Sequence, residues 1–167
     1  MHHYGIRGTL LSWFKDYLTD RHHYVVFSGE KSPTTPVNLG VPRGSVLGPI
    51  LFLIYINDIS DLFSETKSIL FADDMTLYLT GPNQNELVVN ANHELKRLYQ
   101  WCLCNRLTVN TEKTYFMLFT TTKTPHLINL KINNEIISKT NRIRFLGVDY
   151  DDSLLFKHHI HNLTHKK

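Results

Sequence analysis

Ser68-Ile69-Leu70-Phe71-Ala72-Asp73-Asp74-Met75-Thr76-Leu77-Tyr78-Leu79 sets two adjacent carboxylates between two apolar runs. Ile69 to Ala72 is unbroken apolar sequence. Beyond the acids, Met75, Leu77 and Leu79 alternate with Thr76, Tyr78 and Thr80. Alternation with period two marks a half-buried strand. The pattern predicts a β-hairpin whose two-residue turn is Asp73-Asp74. Asp-Asp is a poor choice for such a turn, because Asn-Gly or Asp-Gly fits the required positive φ better. Two like charges side by side also repel unless a cation offsets them. Two divalent ions about 3.5–4 Å apart, clamping a phosphoryl transfer, would account for the pair. The bland alternative is a solvated acidic turn.

At 167 residues the chain is long enough for one domain with a real core. Its 42% hydrophobic and 20% charged content argues against a disordered chain. A net charge of +3 permits a nucleic-acid partner without requiring one. Cys102 and Cys104 are too close in sequence for an ordinary structural disulfide. A reduced, intracellular protein, nuclear or cytoplasmic, is expected. Met1-His2-His3-Tyr4-Gly5 lacks the apolar core of a signal peptide. The longest apolar run, Ile50 to Ile56, falls far short of the roughly 20 residues that span a bilayer, so no membrane partner is expected.

Thr9 to Thr19 has helical spacing, with Leu10, Leu11, Phe14, Tyr17 and Leu18 on one face. His22 to Phe27 and Thr34 to Leu39 read as two strands of a hairpin, with Pro33 and Pro36 marking an edge. Gly40 to Ser45 is a loop, followed by a helix from Leu47 to about Ser60. That helix is apolar nearly all round, so burial on most sides is expected. After the acidic hairpin, Asn83 caps a long helix to about Asn105. Leu107 to Asn110 and Thr114 to Thr120 suggest strands. Leu127 to Ile132 and Glu135 to Ser138 suggest a hairpin around Asn133-Asn134. Arg142 to Val148 reads as another strand, and Ser153 as the cap of a last helix. His158, His161 and His165 share a face of that helix and read as a solvated end rather than a metal site. The order predicts an α+β fold, an antiparallel sheet with helices packed on one face.

Phe71-Ala72-Asp73-Asp74 resembles the metal-binding motif of reverse transcriptases. Gly40-Val41-Pro42-Arg43-Gly44-Ser45-Val46-Leu47-Gly48-Pro49 and the apolar helix after it resemble the loop-helix motif that precedes it in non-LTR retrotransposons of the jockey type. Trp101-Cys102, Asn105-Arg106-Leu107 and Asn110-Thr111-Glu112-Lys113-Thr114 resemble the next motif, and Phe145-Leu146-Gly147-Val148 the primer-grip hairpin. Gly5 to Phe14 also fits. The resemblance covers almost the whole chain, in order. Arg43 stands where the family usually has glutamine, and Phe71 where many relatives have tyrosine.

The resemblance implies an incomplete reverse-transcriptase palm over 1–150 and the start of a thumb over 151–167. It implies an RNA-directed DNA polymerase using Mg²⁺, with Mn²⁺ as a substitute, dNTPs, an RNA template and a DNA primer. Asp73 and Asp74 would be the metal ligands. Lys113 would approach the triphosphate and give a proton to the leaving pyrophosphate. Pro42, Arg43, Gly44 and Ser45 would lie by the nascent base pair, together with Phe71 and Ala72. Phe145, Leu146 and Gly147 would hold the primer. The family's first metal-binding aspartate has no match here, so the chain by itself is expected to be inactive. The alternative is a non-catalytic relic or domesticated fragment that binds nucleic acid or a protein partner.

Overall fold

The computed structural model describes residues 4–42, 44–63, 66–121 and 127–165. Helices and short strands alternate as an α+β chain, and the strands form two-stranded sheets rather than one continuous sheet. The chain divides into two compact units. One comprises Met1–Asp58 with Leu70–Met75, the other Ile59–Ile69 with Thr76–Lys167.

In the first unit, α1 (Gly8–Leu18) carries Trp13 stacked on Tyr17 and edge-on to Phe14. The expected hairpin forms, but its arms are interrupted. β1 (Arg21–His23) pairs antiparallel with β4 (Thr35–Val37), and β2 (Val26–Phe27) with β3 (Glu30–Lys31). Ser32 spans the gap: its Oγ accepts from the Val25 N–H at 2.9 Å, and its own N–H donates to the Val25 carbonyl. A side-chain oxygen thus replaces a ladder carbonyl and splits each strand in two. The loop after β4 ends at α2 (Leu47–Ile56). Ser45 Oγ accepts from the Gly48 N–H at 3.0 Å, satisfying a donor of the first turn that helix geometry leaves open. Gly48 is buried there, and a Cβ would meet Ser45 Oγ and the Pro42 carbonyl at 3.1 and 3.3 Å. The expectation of all-round burial fails for α2. Leu51 and Ile56 are buried, whereas Ile50, Leu53 and Tyr55 are about half exposed. The helix also ends sooner than its pattern suggested, tightening into a 3-10 segment over Asn57–Leu62.

In the second unit, α3 (Gln84–Cys104) begins and ends on local signals. Asn83 Oδ1 accepts from the Glu86 N–H at 2.8 Å, and its Nδ2 donates to the Glu86 carboxylate. At the other end Arg106 turns left-handed at φ 51°. The Leu107 N–H then reaches the Cys102 carbonyl at 2.8 Å, and the Arg106 N–H the Leu103 carbonyl at 3.1 Å. These are the two bonds of a Schellman stop, with arginine where glycine is usual. Ala91, Leu95, Leu98 and Cys102 form the buried face.

Against that face lies the hairpin of β8 (Lys131–Ile132) and β9 (Glu135–Ile136), turning at Asn133-Asn134 as expected. Leu95, Ile132 and Ile137 are the buried centre, with Leu77, Tyr99, Val109, Phe116 and Leu130 packed around them. Asn92 of α3 docks on the same segment. Its Nδ2 donates to the Asn129 carbonyl at 3.0 Å, and its Oδ1 accepts from the Lys131 N–H at 2.9 Å. One amide thus pairs with the strand as a neighbouring backbone would.

Two further sequence expectations need correction. Residues 107–110 form no strand, and of Thr114 to Thr120 only β7 (Tyr115–Phe116) does; it pairs parallel with β10 (Ser138–Lys139). Asn110 diverts the chain, capping a 3-10 turn over Thr111–Lys113 through its side chain. Arg142 to Val148 is not one strand but a hairpin, β11 (Arg142–Phe145) with β12 (Val148–Asp151). Leu146 and Gly147 turn it at φ 47° and 86°, the positive pair that a two-residue loop demands.

Asn92→Ala is expected to lower stability by about 1–3 kcal/mol, because it strands one backbone donor and one acceptor. Asn92→Asp keeps the acceptor but sets a carboxylate oxygen against the Asn129 and Val88 carbonyls, so it should destabilise as well. Urea unfolding followed by circular dichroism measures both, and unchanged stability in either variant would show that the amide pairing is not what matters.

Candidate nucleotidyl-transfer and nucleic-acid site

The acidic stretch folds as β5 (Lys67–Phe71) and β6 (Asp74–Tyr78). The turn is Ala72-Asp73, one residue earlier than the sequence suggested. Ala72 takes the left-handed position at φ 53°. Its Cβ makes that conformation about 1–2 kcal/mol unfavourable, as for any L-residue. Asp73 therefore sits in the turn and Asp74 opens the next strand. Both are exposed, as are Phe71 and Ala72. Their oxygens suit a hard divalent cation. Two carboxylates from one turn do not complete such a site, however. Among the described residues no group of three or more His, Cys, Asp or Glu could hold a metal ion.

The tip, Leu70–Met75, belongs to the same compact unit as the loop Gly40–Ser45. In that loop Pro42 is half-buried and accepts a hydrogen bond from Ser45 Oγ at 2.8 Å, while Gly44 turns at φ 75° with open space around it. Arg43 lies outside the described residues. Lys113 and the Phe145–Gly147 turn belong to the other unit. Lys113 is exposed at the end of its 3-10 turn, and Asn110 Oδ1 accepts from its N–H at 3.2 Å. The hydroxyl of Thr111 donates to the Glu135 carboxylate, tying this turn to the β8–β9 hairpin. Phe145 is half-buried; Leu146 and Gly147 are exposed.

Sequence reasoning missed the carboxylates behind this turn. Asp151 organises the chain that follows β12. Its Oδ1 accepts from the Ser153 hydroxyl at 2.6 Å and from the N–H groups of Ser153 and Leu155, while its Oδ2 accepts from the Phe156 N–H at 2.6 Å. Ser153 is therefore committed to Asp151 and does not cap the last helix, which starts later as α4 (Lys157–Thr164), after Phe156 at φ 55°. Asp149, two residues back on the strand, ties α4 down. It accepts from Asn162 Nδ2 at 2.9 Å and lies 3.9 Å from His159 Nδ1. Asp-Asp-Ser after a strand is the signal that could have been read, since Asp side chains commonly bond backbone two residues on. Asn162, helped by Arg144, Arg142 and His159, holds the Asp149 carboxyl below its usual value against the opposing effect of burial. The Ser153 hydroxyl, with the Leu155, Phe156 and Ser153 N–H groups, does the same for Asp151.

Comparison with known proteins gives the family. Residues 1–150 match the family described as reverse transcriptase (RNA-dependent DNA polymerase). The chain belongs to that family. It is 29% identical over 160 residues to the probable RNA-directed DNA polymerase from transposon BS of Drosophila melanogaster, covering 91% of this chain and 18% of the relative. It is 27% identical over 156 residues to the RNA-directed DNA polymerase from mobile element jockey of the same species, covering 89% of this chain and 17% of the relative. A type-1 retrotransposable element R1 Pol polyprotein of Nasonia vitripennis is 28% identical over 134 residues, covering 76% of this chain and 33% of the relative. The chain thus spans about a fifth of the length of the first two. No solved structure matches it. Among the described residues no helix is long and apolar enough to cross a membrane.

Because both carboxyl values are lowered by folding, their contribution is present above the ordinary value of 3.8 and is lost as pH falls through the lowered ones. Acid titration should therefore loosen the β12–α4 junction below pH 3.8, and Asp151→Asn should remove part of that dependence. Amide exchange at Leu155 and Phe156 across pH 2–5 checks it; unchanged protection in the variant would count against the role of Asp151.

Proposed function

We propose that this chain is the palm portion, over 1–150, of an RNA-directed DNA polymerase of a jockey-like non-LTR retrotransposon, with 151–167 the start of its thumb. The carrying observation is the acidic tip: Asp73 in a turn and Asp74 beginning a strand, both exposed, in a chain of the reverse-transcriptase family. In this reading Asp73 and Asp74 are ligands for Mg²⁺, or Mn²⁺ in its place. A further carboxylate comes from another segment of the polymerase, since those described here do not complete the set. Phe71 and Ala72 flank the reacting ends. Pro42, Arg43, Gly44 and Ser45 lie along the nascent base pair between RNA template and DNA primer. Gly44 allows close backbone approach there. Lys113, exposed and unburdened by burial, reaches the dNTP triphosphate and can act as a general acid toward pyrophosphate. Phe145, Leu146 and Gly147 hold the primer strand. The protein is intracellular in this reading, nuclear or cytoplasmic.

The two-carboxylate tip also favours a second reading. In it the chain is a non-catalytic fragment that binds nucleic acid or a protein partner. The two readings differ in a chimera. Residues 1–167 are placed in the corresponding region of the jockey polymerase and assayed for primer extension on RNA. Extension is expected, falling about 10²–10³-fold in Asp73→Asn while duplex binding is kept. Activity of Asp73→Asn within tenfold of its parent would remove the ligand role. Purified 1–167 alone, given Mg²⁺ or Mn²⁺, dNTPs and a primed RNA, is expected to incorporate nothing.

A further inference from the structure

Between the β11–β12 hairpin and α4 lies an open concavity of about 370 Å³, lined chiefly by Arg144, Asp149, His159, His161, Asn162 and His165. Its two permanent charges, Arg144 and Asp149, cancel. Asp149 is also committed, because Asn162 donates to it and the His159 ring lies against it. The variable charge is therefore carried by imidazoles. Imidazole is the side chain that changes charge between about pH 5 and 8. The concavity is neutral while its three rings are neutral and gains a positive unit with each proton.

His161 and His165 sit one helical turn apart with their rings stacked, centroids 4.1 Å apart. His165 Nδ1 lies 2.9 Å from the His161 carbonyl, which can only accept. The Thr164 hydroxyl lies 2.9 Å from the same Nδ1, so this nitrogen is engaged within the helix end. Two imidazolium charges this close repel, and a bound anion offsets that repulsion. A phosphate group supplies that charge and several acceptor oxygens. His159 is placed differently: its Nδ1 accepts from the Asp149 N–H at 3.4 Å, which holds it on the floor of the site. The neighbouring charged groups are Arg142 on β11, Asp151 and Asp152 on or after β12, and Lys157 and His158 on α4. They line a separate concavity.

We propose that the concavity is a proton-linked phosphate subsite, in which Arg144 and protonated His161 and His165 hold a backbone phosphate of a polynucleotide. Binding is tight in mild acid and weak in mild alkali. The proposal rests on the reading that the β11–β12 hairpin meets nucleic acid. Free pyrophosphate carries the same chemistry, so it serves as the second probe.

The test titrates the chain of 1–167 with inorganic pyrophosphate and, separately, with an RNA template annealed to a DNA primer, at pH 6 and pH 8. Histidine ring signals are followed by NMR, and proton uptake by calorimetry in two buffers of different ionisation heat. Both ligands are expected to shift His161 and His165 at pH 6, to bind about tenfold tighter there than at pH 8, and to take up protons on binding. The double variant His161→Gln, His165→Gln should keep the pH 8 affinity and lose the pH dependence. His158→Gln should retain it. Silence of both rings toward both ligands at pH 6, or pH dependence that survives in the double variant, overturns the proposal. Pyrophosphate binding without duplex binding supports the subsite and overturns the polynucleotide as its source. Duplex binding without proton uptake leaves the nucleic-acid reading standing and overturns the subsite.

Discussion

The larger unit depends on how one helix face meets one short hairpin. The side chain of Asn92 gives α3 a fixed partner, because it pairs with the Asn129 carbonyl and the Lys131 N–H in place of another strand. One turn further on, Leu95 packs on Ile132, which is only 2% exposed. Polar pairing sets the register and apolar burial supplies the larger energy, about 1.5–3 kcal/mol for a fully buried aliphatic side chain. Leu77, Val109 and Phe116 gather on the same centre from three other parts of the sequence. Short strands that bury little by themselves are thereby held against a capped helix.

Carboxylates here do two kinds of work. Asp149 and Asp151 are bonded into the chain around them, and their protons are correspondingly easier to lose. Glu94 is buried beside Arg97, 3.3 Å from its guanidinium. Asp73 and Asp74 stand apart, exposed on a tight turn whose first residue bears left-handed strain. A turn built for stability alone would put glycine at Ala72 and separate the charges. The tip does neither.

Much of the local structure was legible in the sequence. Asn83 marked where α3 begins, and the alternation beyond Asp74 marked β6. Gly40 to Ser45 read as a loop because its glycines and proline exclude regular structure. The ordered series of motifs was sufficient for the family, since each needs its own residues at its own spacing. The sequence pattern also placed Asp73 and Asp74 on a hairpin tip, though one residue off in the turn. Residue preference does not account for that offset, since Asp tolerates positive φ better than Ala does, yet it is Ala72 that takes φ 53°.

Tertiary structure decided the rest. Apolar content alone could not tell that α2 is covered on one side only, because coverage depends on what packs there rather than on the helix. The split of β1 from β2 came from one serine hydroxyl, and the late start of α4 from the claim Asp151 makes on Ser153. The parallel pairing of β7 with β10 joins residues more than twenty positions apart, beyond the reach of any local pattern. Local sequence determined where elements begin, turn and carry charge, because caps, φ preferences and periodicity act within a few residues. Which surfaces were buried and which side chains became partners was decided only by packing, because those terms depend on segments distant in sequence.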